Sequence, residues 1–245
     1  MANTTFANLK IKALQKSGNN YNANDSTKLE MAGGLINDVL GMIGSMIKGH
    51  PFTLDIGNTI STTADQAYVD PTDTNIIEML QIYQRVTNRV LKQITYQEYI
   101  NLAPDPTRFG GVADLAWAPT QSVDVTGNVD WRIYLLPTPS SVITLYYDYL
   151  KDIRFSVDGT AANAEFCALP PTYDPWIYAE FKPLFIEIID SANSARIAKA
   201  EAGAMNARKF FLEMIMSQAT RTYQAGSARD VLDYRYNRVA TTPVP

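Results

Sequence analysis

A single cysteine, Cys167, and a single histidine, His50, in 245 residues remove several chemistries at once. One thiol excludes an internal disulfide and any cysteine-rich zinc site, so Cys167 is expected to be a buried apolar thiol. Hydrolase triads need a base beside a nucleophile and a third group to orient it. His50, set at a helix end before Pro51, is expected to cap a helix and not to serve as that base. No Gly-x-Ser-x-Gly marks a nucleophile. Neither a Gly-x-Gly-x-x-Gly nor a Walker phosphate loop is present, and Gly44-Ser45-Met46-Ile47-Lys48-Gly49 has the wrong order of residues for the latter. Calcium loops need alternating oxygen ligands around a central glycine, and nothing matches. Asp70-Pro71-Thr72-Asp73 offers two carboxylates, but the proline and threonine between them signal a turn. A carboxylate-pair glycosidase can draw its two residues from distant positions, so the sequence does not exclude one. No catalytic residue, metal or cofactor is expected.

Charge is scarce too. Charged residues make up 19% of the chain, the net charge is −4 and the pI is near 5.1. That balance argues against wrapping nucleic acid, which takes clustered Lys and Arg for the phosphates. The longest oily run, Ala32 to Ile47, contains Asn37 and Asp38 and is too short to span a bilayer. With no charged-then-apolar leader, the expectation is a protein neither secreted by a leader nor embedded in a membrane.

What is present is hydrophobic patterning whose period changes twice. Residues 4 to 16 place Phe6, Leu9, Ala13 and Leu14 on one helix face. A second helix is expected near Asp25-Ser26-Thr27, with Thr27 and Glu30 at capping-box spacing. Its apolar face is Leu29, Ala32, Leu35/Ile36, Val39/Leu40, Ile43 and Ile47. Gly33, Gly34, Gly41 and Gly44 each cost roughly 1 kcal/mol against alanine, which implies either close approach to another backbone or a broken helix. From Phe52 to Leu150 the pattern alternates as strands do. Ile76–Tyr83 and Arg89–Ile94 read as an antiparallel pair. Thr95-Tyr96-Gln97-Glu98 is a second capping box, and Trp131–Leu136 with Val142–Leu150 reads as a hairpin turned by Pro137 and Pro139.

Helical character returns after Leu169-Pro170-Pro171-Thr172-Tyr173-Asp174. Ile177, Phe181, Leu184, Phe185 and Ile188 define one face, with Pro175 in the first turn and a kink expected at Pro183. Beyond Asp190–Asn193 a second stripe follows: Ala195, Ala198, Ala202, Met205, Leu212, Met216, Ala219 and Tyr223. It is interrupted at Lys209 and ends at Gly226, a plausible C-cap. Taken alone, the two helices are expected to be a core pair. The tail interleaves Arg229, Arg235 and Arg238 with Tyr234 and Tyr236, the residue types favoured as interface anchors. It reads either as an extended arm that orders on a partner or as a disordered chain end.

The expected fold is therefore α+β: a helical bundle built from N-terminal helices and long C-terminal helices, with an antiparallel β-rich insertion. The expected divisions are 1–50 for the N-terminal helices and 51–168 for the insertion. Residues 169–226 would complete the helical domain, and 227–245 would form the C-terminal arm.

This order resembles the head–tail adaptor (head-completion connector) proteins of tailed bacteriophages. The resemblance is carried by Val129-Asp130-Trp131-Arg132-Ile133-Tyr134-Leu135-Leu136-Pro137-Thr138-Pro139, the Tyr-rich Leu145-Tyr146-Tyr147-Asp148-Tyr149, and the Leu-Pro-x-x-Tyr-Asp entry at Leu169–Asp174. Ile94-Thr95-Tyr96-Gln97-Glu98-Tyr99 before Pro104-Asp105-Pro106 adds to it. The resemblance implies a structural virion protein, assembled in the host cytoplasm. It would form a homo-oligomeric ring, commonly of twelve copies, between the portal protein and the tail-side neck proteins. Double-stranded DNA would pass through its channel without specific binding, and no membrane would be involved. The arm residues Arg229, Tyr234, Arg235, Tyr236 and Arg238 would dock on the portal. The alternatives are another neck ring, a stopper or tail terminator, and, from a different class, a carboxylate-based hydrolase.

Overall fold

The computed structural model describes residues 4–18, 25–73, 75–87, 89–106, 110–113, 115–123, 129–155 and 164–224. The chain forms two compact units, Met1–Leu40 with Arg154–Pro245, and Gly41–Ile153.

In the first unit, α1 (Phe6–Lys16) begins where the Thr5 hydroxyl accepts from the Asn8 N–H at 3.4 Å. Phe6, Leu9, Ala13 and Leu14 are its buried face, as the spacing requires. Phe6 stacks on Phe155, centroids 4.2 Å apart. α2 (Ser26–Met46) starts two residues earlier than a Thr27 cap would allow, because the Asp25 carboxylate accepts from the Lys28 N–H at 3.1 Å. Ala32, Ile36, Val39 and Leu40 are buried on it. At Gly33 a Cβ would lie 3.4 Å from the Phe6 ring and the Lys10 stem, so the close approach there is to side chains and not to another backbone. Asn37 fixes the chain at Phe155 with a pair of amide hydrogen bonds of 2.9 and 3.1 Å.

A 3₁₀ turn (Pro171–Tyr173) leads into α4 (Asp174–Ile189), numbered after α3 of the second unit. Pro175 sits in its first turn, and α4 continues through the buried Pro183 to Ile189. Trp176, Ile177, Phe181, Phe185 and Ile186 are buried, whereas Ile188 is exposed. After the turn at 190–193 the Asn193 side chain accepts from the Arg196 N–H at 3.1 Å and opens α5 (Ser194–Gln224). The Gly226 cap lies outside the described residues.

The second unit is a sandwich. β1 (Leu54–Ser61), β10 (Thr144–Lys151), β3 (Ile76–Gln84) and β4 (Arg89–Val90) form one antiparallel sheet in that order. The second sheet runs β2 (Tyr68–Val69), β8 (Val129–Leu136), β7 (Ala116–Val123), β5 (Lys92–Gln93). Side chains alternate across each strand. Ile82, Leu145, Tyr147 and Tyr149 of one sheet therefore meet Trp117, Ile133 and Leu135 of the other in a shared core. Ala116, Ala118 and Leu136 point the opposite way, onto Tyr99 of α3 (Tyr96–Leu102). The Thr95–Glu98 capping box forms at that helix as the spacing requires.

Three expectations are overturned. The helical bundle with an antiparallel insertion is not what forms. Among the described residues there are five α-helices and three sheets, and α4 packs on α5 and on α1. Nor is the β part purely antiparallel: β5 pairs with β7 in parallel, as does β6 (Gly110–Gly111) with β9 (Thr138–Pro139). The mixed α+β class alone is compatible with this. The expected 131–150 hairpin is also absent, because β8 and β10 belong to different sheets. Leu136 and Thr138 each precede a proline, which drives both to extended backbone and away from tight-turn geometry. The segment instead runs across to Gly110–Gly111, held by Thr138 Oγ1 donating to the Pro106 carbonyl (2.7 Å) and the Ser140 N–H to that of Gly111 (2.8 Å). Lastly, the second C-terminal stripe faces the wrong way: Ala200, Ala204, Phe211 and Ile215 are buried, and Met205 and Met216 are exposed.

Candidate interaction surface

The residues singled out for partner binding, Arg229, Tyr234, Arg235, Tyr236 and Arg238, lie outside the described residues. The other chemically suggestive residues are each absorbed locally. The Asp70 carboxylate is forked by Arg132 at 2.8 and 3.0 Å, and Asp73 accepts from the Tyr147 hydroxyl, so the two carboxylates face different partners. His50 closes a turn: its N–H donates to the Ile47 carbonyl at 2.9 Å and its Nδ1 accepts weakly from the Phe52 N–H at 3.4 Å. Partial burial holds its imidazole below the ordinary pKa. Cys167 is buried, and loss of hydration pushes its thiol up to about 11, away from the thiolate range that nucleophilic cysteines use.

Asp174 is a carboxylate held at a cost. It is buried, its Oδ2 accepts from Thr4 Oγ1 at 2.7 Å and weakly from the Tyr178 hydroxyl at 3.5 Å, and its Oδ1 has no hydrogen-bond partner among the described residues. Desolvation raises its pKa; the Thr4 and Tyr178 hydrogen bonds and the Lys12 charge oppose that only in part. A carboxyl whose pKa is raised on folding binds more protons in the folded state, so stability falls as pH rises from the ordinary carboxylate value near 4 through the raised one. Asp174→Asn removes this titration. The wild type is expected to lose stability relative to that variant as pH rises across the window, read by urea midpoints at successive pH values; parallel curves would contradict it.

Two surfaces remain for contact with other molecules. On the second unit, the Arg132 guanidinium lies 4.0 Å over the Tyr68 ring, and Tyr134 bridges Tyr68 to Tyr96 and Tyr99. On the first unit, α5 presents Ala195, Ala198, Ala202, Met205 and Met216 to solvent, with Leu212 half-buried. Met205, Arg208, Lys209, Leu212, Glu213 and Met216 line a shallow groove along this helix. The exposures of Met205 and Met216, 66% and 69%, are high for large apolar side chains, and Phe210 at 61% extends the oily surface around the helix. The opposite face is anchored. Phe211 stacks on Trp176 at 5.7 Å with rings 4° from parallel, and Arg208 forks the buried Glu180 carboxylate at 2.9 and 2.8 Å. The Glu180–Arg208 pair escapes a hydrophobicity reading, since both residues look like solvent-face charges. Lys209 was the visible sign that the other stripe faces water, because a lysine inside an apolar stripe is seldom buried unpaired.

No protein-family profile and no curated protein matches this chain.

Proposed function

We propose that the protein is a structural component of a tailed-phage neck, a head–tail adaptor that assembles as a ring between portal and tail around the DNA channel. The observation that carries the reading is the row of large apolar side chains along α5, with Met205 and Met216 exposed and Leu212 half-buried between them. Contiguous exposed apolar surface marks a contact site, as expected of a subunit that works inside a larger assembly. The acidic balance and low charge suit a channel that lets DNA slide, since each phosphate neutralised by Lys or Arg would add grip. The sequence resemblance supplies the neck location. The reading does not lean on a helical bundle, which does not form.

In this reading, residues 227–245 dock on the portal through the Arg and Tyr anchors. Deleting them is expected to abolish co-sedimentation with the cognate portal ring and to leave thermal unfolding of the remaining chain unchanged. Full-length protein should bind with one copy per portal subunit in native mass measurements. A truncated chain that still binds overturns the arm assignment. A full-length chain that ignores the portal overturns the adaptor reading and directs the search to the tail-side rings.

A further inference from the structure

The exposed stripe of α5 has a polarity that suggests its own complement. Its N-terminal half carries small residues, Ala195, Ala198 and Ala202; its C-terminal half carries Leu212 and Met216, with Met205 between them. Two such faces packed in parallel would set large side chains on large ones and leave gaps between the alanines. Packed antiparallel about Met205, they fit. Ala198 of one copy lies opposite Leu212 of the other, and Ser194 opposite Met216.

The charges follow the same register. At about 100° per residue, Lys199 and Glu213 fall on one flank of the stripe, and Glu201 and Arg208 on the other. A two-fold axis through Met205 keeps each flank facing itself. Lys199 of one copy then comes toward Glu213 of the second. Lys199, Glu201 and Glu213 are exposed and make no ion pair within the described residues.

We propose that α5 is a homodimerisation helix: a second copy of this chain covers the stripe in antiparallel, two-fold symmetric packing centred on Met205. This goes beyond the adaptor reading and does not rest on it. An isologous contact closes at two copies, whereas a ring is built from a separate, heterologous one.

The test uses the full-length chain under non-denaturing oxidation. Met205→Cys places a thiol on the two-fold axis, next to its own symmetry mate and within the Cα separation a disulfide needs. Met216→Cys lies about eleven residues from the axis, so its two copies stand roughly 33 Å apart at 1.5 Å per residue and do not cross-link. Cys167 is buried and gives little background. Sedimentation equilibrium over a dilution series supplies the second measurement. Glu213→Lys is expected to weaken the dimer about tenfold, because it introduces two symmetry-related repulsions. The Lys199→Glu/Glu213→Lys double variant restores it to within about threefold, as a direct pair requires.

Cross-linking at 205 and not at 216, together with charge-swap rescue, supports the proposal. A monomer at all concentrations overturns it. So does cross-linking at both positions, which signals parallel packing, or an oligomer indifferent to all these substitutions. A dimer that never binds a portal keeps this inference and removes the adaptor reading. A portal-binding chain that is monomeric when free does the reverse.

Discussion

Replacing Arg208 with alanine is expected to lower the unfolding free energy by about 2–3 kcal/mol, a large share of a typical domain's stability. Glu180 on α4 is 4% exposed. Its carboxylate holds three hydrogen bonds: two from the Arg208 guanidinium on α5, at 2.9 and 2.8 Å, and one from the Trp176 indole N–H at 3.1 Å. Removing the arginine takes two charge-assisted hydrogen bonds from a buried anion and leaves it the indole, while the 37% exposure of the arginine side chain lets water screen part of the pair. The same substitution also loosens the α4–α5 contact, since Arg208 stands one turn before Phe211, the ring stacked on Trp176. A second substitution separates charge from packing. Glu180→Gln keeps an acceptor for the indole and deletes the charge, so Arg208→Ala/Glu180→Gln is expected to recover part of what Arg208→Ala alone loses. Chemical denaturation of the four proteins in the cycle reads this directly. A double variant less stable than Arg208→Ala would show that the arginine acts through its stem and not through the carboxylate.

Where one apolar stripe stood alone in the sequence, the structure follows it. Phe6, Leu9, Ala13 and Leu14 are the only way to bury α1, and they are its buried face. The Thr95–Glu98 box is local chemistry, complete within four residues, and forms as written. On α5 the deciding partner is far away in sequence. α5 is alanine-rich and carries two apolar stripes at helical spacing, so periodicity cannot choose between them. The choice is made by Trp176 and Glu180, which offer a ring to Phe211 and a buried charge to Arg208. Likewise β8 could pair with the next strand or with an earlier one. The two residues that precede prolines after it deny it the tight turn, and it pairs with β7 and β2 instead. α2 starts within the expected Asp25-Ser26-Thr27 stretch, with Asp25 and not Thr27 supplying the cap. As for the site, the sequence directed attention to the Arg- and Tyr-bearing tail. The exposed face of α5 emerged only because the stripe expected to be core is in water.

The other large effect is expected at Asp148, the outward-pointing carboxylate of β10, which is 3% exposed yet lies in no hydrophobic cluster. Its Oδ1 accepts from the Gly57 N–H at 2.7 Å, and its Oδ2 from the Gln81 side-chain amide. Gly57 is the residue at which β1 breaks register against β10, between Asp55 and Asn58, and its φ of +78° is one that glycine adopts freely. A bulge frees a backbone N–H from the ladder, and here a side chain of the neighbouring strand takes it up. Asp148 thus joins β1, β10 and β3, three adjacent strands of one sheet, at a single point. Asp148→Ala leaves the half-buried Gly57 N–H and Gln81 amide without this acceptor, each worth about 1–2 kcal/mol, so a loss of about 2–3 kcal/mol is expected. Asp148→Asn should lose far less. Its carbonyl oxygen can still serve Gly57, and Gln81 can rotate its amide to present oxygen to the new NH₂ group. Urea unfolding midpoints for the two variants distinguish this account from simple charge burial. If the carboxylate mattered only as a charge, Asn and Ala would be equally damaging. If it is the acceptor that holds the bulge, Asn survives and Ala does not, and amide hydrogen exchange at Gly57 accelerates only in the alanine variant.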